Sequence, residues 1–400
     1  MTTEKKTKIP CAACGTSPVN HRFMYATSIV DIIFDNSIGK IFGVIKIPRE
    51  GRLANYVVMG FVGFFRLLFL ARFSDDIEKA VSGRSKLIWE EAKRRGIRMQ
   101  QIVMFGIYLE QYRARIGNKY IYFQSLPIPH HLPQGGYDWI DDKYKLANRL
   151  HTAEIPAPKA GVAWTWYGAK KIFEKLEKPI IIKPRTGSRG RHTTTNINTL
   201  SELKNAWKLG KMLEPALVLE EHLFGSVYRA TVINNELVGF FRADPPRITG
   251  NGTSTVKDLI EIKNKNHGER IGNIEINADL LSFIARAGYT LDSILEKDKT
   301  IDLSAKTGRL YGGYTKEMLP EIHPSFFEIF KKAGEIVEAP VVGFDLIIPD
   351  PTRDPSSQRW VIIEANSLPF IDLHYFALEG TPINLAKNMW DLWDTQKKPA

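Results

Sequence analysis

The sequence predicts a mixed α/β protein of the α+β kind, built from more than one folded unit. Short apolar runs bounded by turn residues alternate along the chain with stretches of helical spacing. Two pairs of those runs are joined by polar turns, as antiparallel strands are. Finally, 400 residues with 44% hydrophobic and 25% charged side chains suffice for two or three cores.

Residues 1–75 read as an N-terminal extension. Its start, "MTTEKKTKIP", lacks the apolar stretch of a signal peptide, which predicts a cytoplasmic chain. The only cysteines, Cys11 and Cys14, form a single CxxC. With His21 downstream they supply at most three zinc ligands, and the second CxxC of a zinc ribbon is missing, so a turn-forming N-terminus is the first reading. Residues 53–72, "LANYVVMGFVGFFRLLFLAR", are the most apolar run of the chain. Arg66 inside it makes a membrane span costly, so the run predicts a buried or interfacial helix and leaves peripheral contact with a membrane surface open.

A small α/β unit is expected over 76–139. "DDIEKAVSGRSKLIWEEAKRRGIRM" has helical spacing, with Ile77, Ala80, Ile88 and Ala92 apolar among charges, and β-rich runs follow around a "GNK" turn. The main domain is expected over 140–395. It opens with a helix, "DDKYKLANRLHTAEIPAPK", acidic in its first turn and stopped by Pro156 and Pro158. After a second helix at "GAKKIFEKLEK", the strand "PIIIKP" carries Lys183 into a loop with Gly187 and Gly190. Arg185, Arg189 and Arg191 crowd the same loop. Glycines let backbone close around an anion, and three guanidiniums so close repel one another without one, so the loop predicts phosphate binding. Neither GxxxxGK[ST] nor GxGxxG is present.

A helix "LSELKNAWKLG", a strand "PALVLEEHLFG" and a hairpin turning at "NN" come next, then a glycine-rich turn entering the helix at "TVKDLIEIKN" and a further helix ending near Glu338. The chain closes on two apolar strands flanking a proline- and serine-rich turn, "VVGFDLIIPDPTRDPSSQRWVIIEANSLPF". Glu364 and Asn366, two apart on one strand, point to the same face. Asp345 on the partner strand can lie beside them, so three oxygen ligands converge as a hard cation requires.

The formal charge of +11 and pI near 9.4 fit an anionic or phosphorylated substrate. The basic residues are dispersed and no nucleic-acid motif accompanies them, which argues against nucleic acid.

Lys183 on its strand, the glycine-rich phosphate loop, "LEEHL", and the late Asp345, Glu364 and Asn366 together resemble the ATP-grasp ligases, most of all the ATP-grasp module of cyanophycin synthetases. The similarity runs from about residue 140 to 390 through "PPRITGNGTSTVKDLI", "YTLDSIL", "YGGYTKEMLPEIHP", "GFDLII" and "IEANSLP" in order. It implies two α+β lobes sandwiching a nucleotide, behind a small N-terminal domain. It also implies an ATP- and Mg²⁺-dependent ligase, with one or two ions, that joins a small carboxylate to an amine such as an amino acid or peptide. By the same resemblance Lys183, Thr186, Gly187, Ser188, Arg189, Gly190 and Arg191 would bind ATP phosphates and Glu220 and Glu221 would sit at the adenine hinge. Asp345, Glu364 and Asn366 would carry magnesium. Arg229 would face the reacting phosphate or carboxylate, with Arg242 a further candidate. A dimer or tetramer would be common for that family.

The chain also departs from the pattern. Ala147 replaces a nucleotide-binding lysine, leaving Lys143 or Lys145 as substitutes; Val227 stands where an acidic ribose contact is expected, and Phe370 replaces the glycine of an "NxPG" ending. No Mur-ligase-like module with a Walker loop is present, so polymerising cyanophycin alone is not expected. Two rival readings keep the fold: a phosphotransferase acting on something other than a carboxylate, and a catalytically silent nucleotide-binding protein on a membrane surface.

Overall fold

The computed structural model describes residues 11, 19–33, 60, 62–186, 191–223, 225–304 and 306–394. The expected loop residues Gly187, Ser188, Arg189 and Gly190 and the second cysteine, Cys14, lie outside the described residues.

The first described helix is α1 (His21–Ile33). The end of the apolar run is helical at 62–67 and then enters β1 (Ala71–Ser74). It is only partly covered: Val62 is buried, whereas Leu67 is 80% and Phe69 96% exposed. Among the described residues no helix is long and apolar enough to cross a membrane. The next helix, α2 (Gly83–Arg94), starts later than its apolar spacing suggests, because Ser82 accepts the Ser85 N–H and fixes the cap there. Upstream, Ile77–Lys79 makes a single 3₁₀ turn capped by Asp76.

With β1, strands β2 (Met99–Met104), β3 (Ile107–Ile116) and β4 (Lys119–Gln124) form an antiparallel sheet in the order β1-β2-β3-β4. Leu87, Ile88 and Trp89 of α2 pack on it against Tyr112 and Phe123.

The first lobe follows. Helix α3 (Lys143–Thr152) precedes it and buries Leu146, Ala147 and Leu150 in the core of the second lobe; the first lobe itself comprises β5 (Ala160–Ala163), α4 (Trp166–Lys175), β6 (Ile180–Pro184), β7 (Thr194–Ile197), α5 (Leu200–Gly210) and β8 (Leu217–Glu221). The sheet order is β5-β8-β6-β7, with α4 and α5 burying Phe173, Leu203 and Ala206 against Ile180, Ile182, Leu217 and Leu219. Helix α5 occupies the span the sequence predicts, since Thr199 and Glu202 make a full capping box at its start.

The second lobe begins with the hairpin β9 (Ser226–Ile233) and β10 (Glu236–Ala243). Its turn residues Asn234 and Asn235 both hold left-handed φ angles, 51° and 63°, the geometry that matches strand twist and that asparagine tolerates. Strands β11 (Arg247–Thr249) and β12 (Thr300–Asp302) pair in a small side sheet around α6 (Val256–Asn266) and α7 (Ala278–Arg286). The main sheet is completed by β13 (Thr315–Glu317), then, after α8 (Ser325–Val337), by β14 (Val341–Ile348) and β15 (Val361–Asn366), in the order β13-β10-β9-β14-β15. Phe326 and Phe330 of α8 fill one face of it against Phe240, Phe344 and Trp360.

After the short α9 (Asp372–Tyr375), α10 (Leu385–Asp391) returns to the first unit. Its Leu385, Met389 and Trp390 are buried with α2, and Trp390 Nε1 donates to the Ile88 carbonyl at 2.9 Å.

Candidate active site

The sheet face opposite α8 carries the charged cluster. Across the antiparallel ladders Arg229 lies opposite Asp345 and Asp345 opposite Glu364, while Gly343 lies opposite Asn366. Directly opposed residues share a face, so three strands aim these groups at one place. Arg229 donates from Nε and Nη2 to the two Asp345 oxygens, each at 2.7 Å. Asn366 Nδ2 stands 3.4 Å from Asp345 Oδ2. Burial pushes the Glu364 carboxyl upward; Lys143, Lys183 and Arg229 pull it down, Asp345 pushes it up again, and the net shift is upward. Burial, the largest influence, would lower the Arg229 guanidinium, but the Asp345 charge and hydrogen bonds together with the Glu364 and Asp372 charges outweigh it and the net shift is upward.

Two lysines approach the cluster, Lys183 from the first lobe and Lys143 from the start of α3. Lys183, in the middle of the sheet on β6, makes a 2.5 Å ion pair with Glu220 of β8, both side chains more than nine-tenths buried. Asp142 caps α3 by accepting the N–H groups of Tyr144 and Lys145, both at 3.1 Å, and that cap sets the direction of Lys143. Lys143 Nζ comes 3.9 Å from Glu364 Oε2 with its side chain only 8% exposed. Lys145 instead turns outward, 40% exposed and 4.0 Å from Asp142. Of Lys143 and Lys145, the fold brings Lys143 to the cluster.

The stem of the basic loop is pinned by two carboxylates that sequence reasoning missed. Glu214 accepts the backbone N–H of Arg185 at 2.7 Å and of Thr186 at 3.1 Å, and its other contact is the Thr186 hydroxyl. Burial raises the Glu214 carboxyl, and these bonds only partly offset the shift. Asp142 takes Arg185 Nε at 2.8 Å. Arg185, expected at the phosphate, is paired with Asp142, a contact between segments that no local spacing signals. Arg191, half-buried, resumes the described chain after the loop.

Two further residues fall elsewhere than expected. Arg242 is paired in register with Tyr228, one residue from Arg229, so alternation puts it on the other face of the sheet. There it donates to Asp244 at 2.8 Å, in a separate cluster with Arg247 and Asp302. The structure does not bring it to Arg229. By the same alternation Glu221 points away from Glu220. Its carboxylate accepts the Lys159 N–H at 3.1 Å and pairs with Arg359 of the second lobe, tying the lobes together.

The donor set suits a hard divalent cation. Two carboxylates and an amide oxygen are the ligands magnesium takes, and Asp345 Oδ1 keeps a lone pair beyond the one used by Arg229, whereas Oδ2 accepts from both Arg229 and Asn366. The arrangement as a whole is a ring of cations at oxygen ligands: Arg229 meets Asp345, Lys143 approaches Glu364, and Lys183 of the first lobe is near enough to pull the Glu364 carboxyl down. Such a ring can neutralise and orient a polyphosphate.

No protein-family model matches the chain. The cyanophycin synthetase of Geminocystis herdmanii (strain PCC 6308) is 28% identical over 277 residues, covering 66% of this chain and 31% of that protein. The glutathione biosynthesis bifunctional protein of Mannheimia succiniciproducens is 27% identical over 223 residues, covering 53% of this chain and 30% of that one. The chain thus spans less than a third of the length of these curated relatives. Among solved structures, a bifunctional glutathione synthetase from Pasteurella multocida superposes with a TM-score of 0.55 at 20% identity, covering 86% of this chain and 48% of that one. The chain has the ATP-grasp fold and is similar in sequence to both groups.

Proposed function

We propose that this chain, an ATP-grasp protein, is an ATP- and Mg²⁺-dependent ligase that joins a small carboxylate to an amine, working in the cytoplasm. The observation that carries the reading is the convergence of Lys143, Lys183 and Arg229 on Asp345, Glu364 and Asn366. The γ-phosphoryl of ATP passes to a substrate carboxylate oxygen, releasing ADP. The amine then attacks the acyl phosphate carbon, and inorganic phosphate leaves as the C–N bond forms and the amine loses a proton. Phosphoryl transfer needs positioning and charge neutralisation more than a protein nucleophile, and that is what this cluster offers. Lys183 and Lys143 would hold ATP phosphates, and Arg229 would face the oxygens on which charge develops. Asp345, Glu364 and Asn366 would hold magnesium, which when bound neutralises phosphate charge.

The test is ADP release from ATP and Mg²⁺ by the full chain across pools of amino acids, dipeptides and small carboxylates, alongside Glu364→Ala. Turnover that requires both a carboxylate and an amine, and is lost in the variant, supports the ligase. A stable phosphorylated product formed without amine would instead identify a phosphotransferase.

The exposed end of the apolar run favours a second property, contact with a membrane surface. Phe64, Leu67, Leu68 and Phe69 stand out from the protein, and the Leu70 carbonyl accepts the N–H of Phe105, which with Ile107 extends the patch at 60% and 64% exposure. Sedimentation with lipid vesicles, lost on Leu67→Glu with Phe69→Glu, would establish it; equal sedimentation of the two forms would dismiss it.

A further inference from the structure

Three ligand-bearing side chains from distant parts of the sequence meet beside the first lobe. They are Cys11, His21 at the start of α1, and His192 directly after the basic loop, and their ligand atoms all lie within 4.8 Å of one another. Cys11 Sγ is 3.7 Å from His192 Nε2, although 181 residues separate them. A thiolate sulfur and an imidazole nitrogen on one tetrahedral zinc stand about 3.6 Å apart, as bond lengths of about 2.3 and 2.0–2.1 Å dictate. The His21 and His192 rings meet edge to face with centroids 4.9 Å apart.

His192 is held as a ligand would be. It is 1% exposed, and its φ of +52° lies in the left-handed region that a non-glycine residue occupies only when its surroundings enforce it. Its Nδ1 is 2.7 Å from the Leu209 carbonyl at the end of α5. A carbonyl only accepts, so Nδ1 carries the proton and Nε2 presents its lone pair toward Cys11, the second-sphere arrangement that orients metal-binding histidines.

We propose that Cys11, His21 and His192 hold a zinc ion that ties the N-terminal segment to the first lobe beside the basic loop. One thiolate and two imidazoles select zinc over the hard cations suited to Asp345, Glu364 and Asn366, so the chain has two metal sites of different chemistry. The ion crosslinks segments far apart in sequence and fixes the backbone one residue past Arg191, where the loop rejoins the lobe.

The experiment is elemental analysis of the full chain, purified without a histidine tag and dialysed, with Cys11→Ser, His21→Ala and Cys14→Ser beside the wild type. Because His192 is buried, the half-buried Cys11 carries the test. The expected result is about one zinc per chain, falling to near zero in Cys11→Ser and His21→Ala. Cobalt substitution should give the wild type a thiolate-to-cobalt charge-transfer absorption that Cys11→Ser lacks. Wild-type chain without zinc, zinc undiminished in both Cys11→Ser and His21→Ala, or zinc lost only in Cys14→Ser would each overturn the proposal. None of these readouts depends on ATP turnover.

Discussion

Arg229 and Asp345 face each other across β9 and β14 and are joined by two hydrogen bonds of 2.7 Å, with Glu364 next in line on β15. Arg229→Met removes the only strand-borne cation of this row and leaves two carboxylates side by side. Both members of the pair are about a sixth exposed, 17% and 18%. We therefore expect a loss of about 2–3 kcal/mol, below the cost of orphaning one partner of a fully buried pair. ADP release should fall by roughly 100-fold or more, the size of effect seen when a charge-stabilising donor is removed. Urea unfolding and steady-state kinetics on the same preparation check both; wild-type turnover in the variant would remove Arg229 from the reaction.

Lys183 and Glu220 form a more deeply buried pair, so the sign of a double-mutant cycle is predictable. Lys183→Met leaves the Glu220 carboxylate buried without its cation, at a cost of about 3–5 kcal/mol. Adding Glu220→Leu removes the orphaned charge and should restore most of that stability. With Lys183 in its proposed phosphate-holding role, ATP binding should stay weak in both forms, because each lacks it. Denaturation curves and calorimetric titration with a non-hydrolysable ATP analogue separate the two effects; a double variant no more stable than Lys183→Met would deny the coupling.

The raised Glu364 carboxyl makes stability depend on pH in a definite direction. The folded chain holds this proton at pH values where an unfolded glutamate, with its ordinary value of about 4.3, has already lost it. The stabilisation is therefore complete below that ordinary value and is lost as pH rises through the higher folded one. In chelator, Glu364→Gln should flatten this decline and unfold at a higher temperature than wild type near neutrality. In the proposed site magnesium would bind the ionised form, so its stabilising effect on wild type should grow as pH rises, and should vanish in Glu364→Gln. Melting temperatures from about pH 5 to 8, with and without Mg²⁺, test this; parallel profiles for the two proteins would contradict it.

Much of the fold and part of the site were legible because local signals fixed them. The Thr199 and Glu202 capping box delimits α5, Asn234 and Asn235 make a hairpin turn, and alternation along β15 brings Glu364 and Asn366 to one face beside Asp345. Alternation also argues against Arg242, since its partner Tyr228 neighbours Arg229 along the strand and faces the other way. What stayed hidden depends on segments meeting at long range. Asp142 claims Arg185, Glu214 pins Thr186, Trp390 reaches Ile88, and His192 joins Cys11 and His21 from 171 or more residues away. Apolar spacing at Ile77 and Ala80 suggests an earlier start for α2 because it says nothing of where Ser82 caps the helix.

Glu317 is the hub of a buried polar network that holds the edge of the main sheet, and its substitutions should grade in cost. One carboxylate oxygen accepts the backbone N–H groups of Phe240 at 2.9 Å and Leu319 at 3.1 Å. The other meets His374 Nδ1 at 2.6 Å, and His374 Nε2 meets the Thr231 hydroxyl at 2.7 Å. Glu317 and His374 are fully buried, and Gly239 admits the histidine ring because a Cβ there would stand 2.6 Å from Nδ1. Glu317→Gln keeps an oxygen for the two N–H groups, and its amide can donate to Nδ1 once the imidazole proton moves to Nε2, with the threonine hydroxyl accepting there. Its expected cost is about 1 kcal/mol. Glu317→Leu offers no acceptor, so two backbone N–H groups and the ring lose their partner together, and the cost should reach about 3 kcal/mol or more. Urea unfolding of the two variants decides the matter: if leucine costs no more than glutamine, the network is not what secures β13 to β10.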